Sequence, residues 1–335
     1  MAPAVAGAAG HVSYDVTDQA IVIIRVTDAA VTVRTWDRNV VAADWDDGEQ
    51  LAMSKRAYNA SGSYAVPKRT IRVNRPDEPL RTVDLPPEDF PIDTLAPGLH
   101  DAVNFLQART SDAFAPPGEP MRLTVTIPSS TGAVFVREAH GSISLANYRG
   151  TALIFGENSQ VFLDNVRGAM FLQVIGGHTY AIDSTFDRLR ARSNGGSFVF
   201  ERCTSKQIDV QTYFGQIVYD DGTFHAGLAR FASENGNIAL GSAAPVQFAG
   251  RSAEGRVYSS FNGDVAVDAP VPAQANAIVG GGGPLVNASS ARGNVFFYDG
   301  AIAAHQPLTT EWRPIARTIL VQRRTYVPHR ARPER

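Results

Sequence analysis

Apolar and polar residues alternate with a period of two along most of this chain, the pattern of half-buried strands. Val22, Ile24 and Val26 alternate up to a turn at Thr27-Asp28, and Val31, Val33 and Thr35 alternate after it. Val40 to Asp44 and Ile71-Arg72-Val73 are further strand candidates. From Met121 the texture resumes, with Leu123, Val125 and Ile127 ahead of Pro128-Ser129-Ser130, then Val134-Phe135-Val136. Over this alternation lies a longer repeat of about nineteen residues. Val161-Phe162-Leu163-Asp164, Tyr180-Ala181-Ile182-Asp183, Phe198-Val199-Phe200-Glu201 and Ile217-Val218-Tyr219-Asp220 stack when aligned. Between them Leu153, Leu172, Ala191 and Val210 form a second apolar column. Repeats of this length signal a solenoid, in which each unit buries its apolar face only against the next.

The expected fold is all-β: a right-handed parallel β-helix (β-solenoid) with turns of about nineteen residues and a strand-rich N-terminal cap. Its stacked core is predicted to hold Val161, Tyr180, Phe198 and Ile217 in one column, with Leu163, Ile182, Phe200 and Tyr219 in the next. No six-residue pattern is present, which argues against a left-handed hexapeptide helix. Gly141, Gly150, Gly168, Gly195, Gly215 and Gly222 mark tight corners. Two corners nearly duplicate each other, Asn147-Tyr148-Arg149-Gly150 and Asn165-Val166-Arg167-Gly168. Solenoid ends need caps, and the strands of residues 13–45 and the region after Gly281 are assigned that task.

The chain divides into a flexible terminus or signal-peptide remnant (1–12), an N-terminal β cap region (13–75), a proline-rich insertion (76–120), the solenoid (121–300) and a basic tail (301–335). In the insertion, recurrent prolines break ladders and helices alike. The spacing of Val103, Phe105 and Leu106 predicts one short helix there, His100 to Ala108.

Composition narrows the function classes. A hydrophobic fraction of 44% and a charged fraction of 19% over 335 residues describe a folded, soluble chain with ample core. A net charge of −2 makes no electrostatic case for nucleic acid. The arginines from Arg313 to Arg335 are the exception, read as a solvated end. No apolar run approaches the roughly 20 residues of a membrane-spanning helix. The first ten residues look like the cleavage end of a signal peptide without its basic start and apolar middle. Either the start lies further upstream or this is a plain terminus. Cys203, the single cysteine, is read as a buried, inert thiol in a column with Thr185 and Val166.

The chemistry-bearing pattern is an outward column of carboxylates: Asp164, Asp183, Glu201 and Asp220 follow the last core residue of successive turns. Rungs about 4.8 Å apart place these like charges side by side. Three compensations are open: capping of backbone N–H groups at the corners, interleaving by Arg167, Arg188 and Arg202, or a hard cation such as Ca²⁺ held between the acids. Calcium is the only cofactor considered. The same column admits a carbohydrate-active enzyme on analogy with other β-helices, an analogy of fold alone. Asp44 to Glu49 lacks calcium-loop spacing and is a polar turn. The seven histidines show no ligand spacing, so no zinc site is expected. Gly280 to Gly283 reads as a flexible turn, and Ser129 and Ser130 lack a nucleophile-elbow context.

Three segments resemble the bacterial "putative adhesin" family, a β-solenoid domain of unknown function. They are Val31 to Val41; Leu123 to Pro128 leading into Gly141-Ser142-Ile143-Ser144-Leu145; and Gly280 to Val295. The resemblance implies an exported protein, in the cell envelope or secreted, and carries no catalytic residues. The expected function is a non-enzymatic scaffold or adhesin-like surface module that binds a protein or polysaccharide partner, with no nucleic acid and no transmembrane segment. The alternatives are a structural polymer that self-associates through its end turns, and the carboxylate-column enzyme.

Overall fold

The computed structural model describes residues 10–46, 51–57, 69–75, 78–85, 99, 101–107, 120–259, 273–279 and 281–300. Among these the chain forms twenty-seven strands and no helix. The first nine are β1 (Gly10–Asp15), β2 (Ile21–Thr27), β3 (Ala29–Trp36), β4 (Val40–Trp45), β5 (Leu51–Ala57), β6 (Arg69–Arg75), β7 (Glu78–Leu85), β8 (Asp101–Gln107) and β9 (Met121–Pro128). The central run is β10 (Ala133–Ala139), β11 (Ser142–Ala146), β12 (Arg149–Glu157), β13 (Gln160–Asp164), β14 (Arg167–Ile175), β15 (Thr179–Ile182), β16 (Thr185–Ser193) and β17 (Phe198–Glu201). It continues as β18 (Thr204–Ser205), β19 (Ile208–Thr212), β20 (Ile217–Phe224), β21 (Ala229–Ser233) and β22 (Ile238–Ser242). The last five are β23 (Val246–Ser252), β24 (Val257–Ser259), β25 (Ala273–Val279), β26 (Leu285–Ser290) and β27 (Val295–Asp299).

Twenty-five strands join one mixed sheet that curls into a nearly closed, barrel-like wall; β6 and β7 pair only with each other. Its middle is parallel. One half, sheet A, runs β3-β11-β13-β15-β17-β20-β22. The other, sheet B, runs β2-β10-β12-β14-β16-β19-β21. Consecutive strands alternate between the halves, so each pair makes one rung stacked on the rung before. Alternate residues of both halves point into a shared core. Early rungs fill it with aliphatic side chains such as Val134, Val136, Ile154 and Leu172. Later rungs use aromatics: Phe200, Tyr219, Phe224, Phe231, Phe248 and Phe297 form a chain of stacked and edge-on rings.

Both ends of the stack are built out of sequence order. At the N-terminal end β2 and β3 are internal rungs: β8 and β9 pair outside them and β10 and β11 inside. At the other end β26 and β27 slot between β21–β22 and β23–β24. The 13–45 strands and the region after Gly281 are therefore not simple caps. Antiparallel strands take three of the four outermost places, with β4 on β9 and β1 on β4, β5 on β8, and β25 on β23; the fourth is β24, parallel to β27.

The predicted helix is a strand. β8 alternates Val103 and Phe105 inward with Ala102 outward, all buried, and its backbone bonds go to β2 and β5. Three apolar residues close together fit either period, and the open edge of β2 decides for the strand. The rest of the 76–120 segment, apart from β7, Leu99 and residue 120, lies outside the described residues, as does the 301–335 tail.

The register also departs from a uniform nineteen. Val161 pairs with Thr179 and Leu163 with Ala181, an eighteen-residue step (179 minus 161), while Phe198 pairs with Ile217, a nineteen-residue step. A one-residue slip sends every side chain to the other surface. Thr179 and Ala181 hold the inward places, and Tyr180 and Ile182 face outward. Likewise Ile154, not Leu153, heads the column of Leu172, Ala191 and Val210. Cys203 follows Ser184 and Val166, not Thr185, since Thr204 bonds to Ser184 and Thr185 to Val166. The duplicated corners do stack, with Arg149 on Arg167 and Gly150 on Gly168.

The nineteenth residue enters at the bulge of β16, where Gly168 pairs with Phe186 but Ala169 with Arg188; the later rungs also share a corner of the form Ser/Thr-x-x-Gly. It occurs at Ser193–Gly196, Thr212–Gly215, Ser233–Gly236, Ser252–Gly255 and Ser290–Gly293. In each, the hydroxyl accepts the glycine N–H of its own corner at 2.7–3.0 Å. It also donates across the stack: Thr212 to Gly196 O (3.0 Å), Ser233 to Gly215 O (3.2 Å), Ser290 to Gly236 O (3.0 Å) and Ser252 to Gly293 O (2.7 Å). A Cβ on Gly215 would collide with the Gly196 carbonyl, and one on Gly236 with that of Gly215. Gly215→Ala is expected to cost about 2–4 kcal/mol, and Ser233→Ala about 1–3 kcal/mol through two orphaned backbone groups. Chemical denaturation of both variants checks this; a neutral Gly215→Ala would mean that the corner is not packed.

Candidate binding face

The alternation Arg188-Leu189-Arg190-Ala191-Arg192 on β16 buries leucine and alanine and leaves three arginines on the outer surface of sheet B. The same rule sets the rest of this surface. β19 contributes Asp209 and Gln211, β21 Arg230 and Ala232, and β26 Leu285, Asn287 and Ser289. β23 adds Gln247, Ala249 and Arg251, and β25 adds Gln274, Asn276 and Ile278. Pairing aligns them: Arg190, Asp209, Arg230 and Asn287 form one column, and Arg192, Gln211, Ala232, Ser289 and Arg251 another. Most of these side chains are exposed, and none is fully buried. Leu285 (51%) and Ile278 (60%) flank Gln247, and Leu228 (57%) lies beside Leu285, giving the face an apolar border.

Five arginines on these strands face two outward carboxylates, Asp209 and, in the bulge of β16, Asp187. Arg192 Nη2 donates to Asp209 Oδ2 at 2.7 Å, and Gln211 Nε2 donates to Oδ1 at 3.1 Å. Partial burial raises the Asp209 carboxyl, but the Arg192 bond and charge outweigh it, and the group lies below its ordinary range. Arg188 Nε donates to Gln207 Oε1 at 3.2 Å. Asp187, in the bulge of β16, is matched by Lys206 at 2.6 Å.

Two other outer surfaces are buried and apolar, while sheet A over β9, β3, β11 and β13 is polar and half-buried, with Thr124, Thr32, Ser144 and Gln160 outward. Over β2, β10, β12 and β14, sheet B carries Ile21, Ile23, Phe135, Leu153, Phe155 and Phe171, packed with Leu99. The outer side of sheet A carries Val199, Val218, Ala239, Tyr258, Phe296 and Tyr298. The sheet-B face from β16 to β25 is the more exposed of the polar surfaces and the one rich in arginine.

The predicted carboxylate column is not a single column. Asp164, Ile182, Glu201 and Asp220 share one register position, and Asp183 sits one residue on. Asp183 occupies the left-handed corner (φ 50°) that Asn147, Asn165 and Arg202 take in other rungs. Arg202 supplies the compensation. Its Nε and Nη2 hold Asp183 at 2.7 and 2.9 Å, and its Nη1 pairs with buried Glu201. Those hydrogen bonds to Asp183 raise the guanidinium above its ordinary value. Asp164 is raised by burial first and by the Asp183 charge second. Among the described residues no three His, Cys, Asp or Glu side chains come together as a metal site. Arg188 does not interleave with these acids, because it belongs to the opposite half of the wall.

Burial pushes the Cys203 thiol up to about 12, which leaves it unreactive. His178 accepts the Ser197 N–H at Nδ1 (3.2 Å), and burial lowers its pKa. Asp44 pairs with His11 at 2.6 Å and Asp46 caps the Arg122 N–H at 2.8 Å, consistent with a polar turn. Residues 47–50 lie outside the described residues. Gly281 and Gly282 have positive φ, while Gly283 packs tightly on the Pro245 carbonyl, so that turn is in part fixed.

These features define an all-β protein with one exposed, arginine-rich face. No family model matches the chain, and no curated protein matches it. Among solved structures it is similar to a crystal structure from Clostridium sporogenes ATCC 15579 described as a "putative cell adhesion protein". The two are 6% identical, with 87% of this chain and 100% of the other covered and a TM-score of 0.29, a likeness that carries no argument. No helix among the described residues is long and apolar enough to cross a membrane.

One titratable group is misplaced for stability. Glu138 points inward between Val26 and Gly156, fully buried; its Oε1 accepts the Ala29 N–H at 3.3 Å and its Oε2 has no partner. Burial raises its pKa above 4.5. The protonated form is thus favoured by folding: its stabilisation is full below pH 4.5 and is lost as pH rises through the folded value. Glu138→Gln is expected to remove that decline and to gain on the order of 1 kcal/mol at pH 8. Denaturation midpoints between pH 4 and 8 check this; parallel profiles for the two proteins would refute it.

Proposed function

We propose that this protein is a non-enzymatic β-solenoid scaffold, an adhesin-like surface module of the cell envelope or secreted, that binds a partner along the exposed face of sheet B. The observation that carries the reading is the contrast between surfaces: two outer faces are apolar and buried, while six stacked strands present an exposed, arginine-rich face to solvent. Flat, rigid faces built on a sheet suit large partners better than small substrates. Membership of the adhesin-like family belongs to the same proposal and rests on the motifs quoted above.

The enzyme alternative loses support because Asp183 and Glu201 are committed to Arg202, leaving no free pair of carboxylates at that corner. The polymer alternative is opposed by the antiparallel strands β1, β4, β5 and β25, which cover both halves at the N-terminal end and sheet B at the other, leaving only β24 in the parallel order that a head-to-tail stack needs.

Two measurements test the reading. Arrayed polysaccharides and envelope proteins probed with the purified protein are expected to yield at least one ligand that a Leu285→Asp/Ile278→Asp variant loses. Failure to bind anything, or cleavage of an arrayed polysaccharide, would sink it. Thermal melts in calcium and in EDTA are expected to coincide, because the guanidinium already neutralises the corner acids. A calcium-dependent rise of several degrees would return Asp164, Asp183, Glu201 and Asp220 to candidacy as ligands.

A further inference from the structure

We propose that the partner of the sheet-B face is a linear polysaccharide bearing carboxylate groups, held by the outward arginines with the neighbouring amides on its hydroxyls. This rests on the scaffold reading above and names its ligand class.

The face itself shows how it takes a carboxylate, because it holds one of its own. Asp209 is gripped by the Arg192 guanidinium on one oxygen and by the Gln211 amide on the other. The same pair of groups recurs one column over, where Arg188 lies against Gln207. Arg190 and Arg230 flank Asp209 along its own column, and Arg251 stands at the far end of the Arg192 column. A guanidinium is planar and always charged, and it matches a carboxylate with two parallel hydrogen bonds.

Shape and the remaining side chains select a polymer of sugars. From β16 to β25 the face spans six strands, roughly 24 Å at about 4.8 Å per strand. Arginines two strands apart in one column (Arg190, Arg230) and four apart in the next (Arg192, Arg251), about 10 and 19 Å, suit an extended chain with spaced acids. Gln247, Asn276, Asn287 and Gln274 each offer donors and an acceptor, the combination that ring hydroxyls need. Leu228, Leu285 and Ile278 border the face with apolar surface for sugar C–H groups. Nucleic acid is a poorer match: the outward positions of these strands carry no aromatic side chain on which bases could stack.

The experiment is a binding titration of the full chain at low salt against polygalacturonate, dextran sulfate, unsubstituted dextran, duplex DNA and phosphatidylserine vesicles. Polygalacturonate is expected to bind, more weakly as salt is raised, and unsubstituted dextran is not. Arg188→Glu/Arg190→Glu/Arg230→Glu should weaken binding by about tenfold or more. Arg34→Glu/Arg149→Glu/Arg167→Glu makes the same change in net charge elsewhere and should do little. Equal loss in both variants, or no loss in the first, overturns the proposal. So does equal binding of dextran sulfate, DNA or vesicles with the same sensitivity, which would make the face a general polyanion surface. If the arrays instead yield a neutral glycan or a protein that the face variants lose, this inference fails and the scaffold reading stands. Should the glutamate variant unfold, as its melting curve will show, Arg188→Gln/Arg190→Gln/Arg230→Gln takes its place.

Discussion

The structure depends on how closely two rungs approach at the corner after each sheet-B strand. There the backbone of one rung passes so near the carbonyl of the next that only glycine fits at Gly215 and Gly236. A bare glycine corner would leave its N–H and the neighbouring carbonyl unpaired, and a buried orphan of that kind costs about 1–3 kcal/mol. The hydroxyl three residues earlier satisfies both, accepting from its own corner and donating to its neighbour. The result is a line of hydrogen bonds running along the stack, perpendicular to no strand's own ladder. It also fixes register. A one-residue slip would place the bulky side chain of Phe214 or Asn235 where the glycine must sit, so each corner re-zeroes the alternation that follows it.

The same corner explains why β26 and β27 can enter the stack out of order. Ser290 bonds to Gly236 and Ser252 to Gly293, so the inserted rung presents the same donor, acceptor and gap as its neighbours. A rung is recognised by local chemistry and not by its place in the sequence. The cost appears in folding: β21 and β26 meet across more than fifty residues (286 minus 229), and β2 meets β10 across more than a hundred (133 minus 21). Contacts that distant slow folding, because the intervening chain must be ordered before they reward it. The continuous run from β10 to β21, in which every rung follows its predecessor in sequence, is the natural place for folding to begin.

The all-β class and the stacked corners at Gly150 and Gly168 were legible in the sequence because they are local, whereas the regular parallel helix expected from the repeat gives way to a mixed, barrel-like sheet. The register between Val161 and Thr179 was not legible, since an eighteen-residue and a nineteen-residue rung look alike when Tyr180 and Ile182 are themselves apolar. Those two residues suit the inward column by composition and leave it only because their rung lacks the extra residue that the β16 bulge adds later. The strand β8 was misread for a similar reason, with the arbitrating partner lying 81 residues away (102 minus 21) on β2. The binding face was visible as Arg188-Leu189-Arg190-Ala191-Arg192, yet a net charge of −2 averaged over the chain conceals it. Charge matters by location: stacking brings Arg230 and Arg251 from distant parts of the sequence onto the same surface.

That concentration of charge has a consequence for what the molecule must avoid. Like charges on adjacent strands repel by tenths of a kcal/mol to about 1 kcal/mol per pair when they stand directly opposite. The fold spaces most of them. Arg190 and Arg230 are separated by Asp209, while Gln211, Ala232 and Ser289 stand between Arg192 and Arg251. At the opposite corner the fold solves the converse problem differently, placing Arg202 in a strained left-handed position so that one guanidinium reaches both Asp183 and Glu201. One guanidinium thus serves two acids on sheet A, while sheet B gathers five arginines around Asp209 and Asp187. A chain with near-balanced charge presents a predominantly positive face because its architecture sorts acids and arginines to different surfaces.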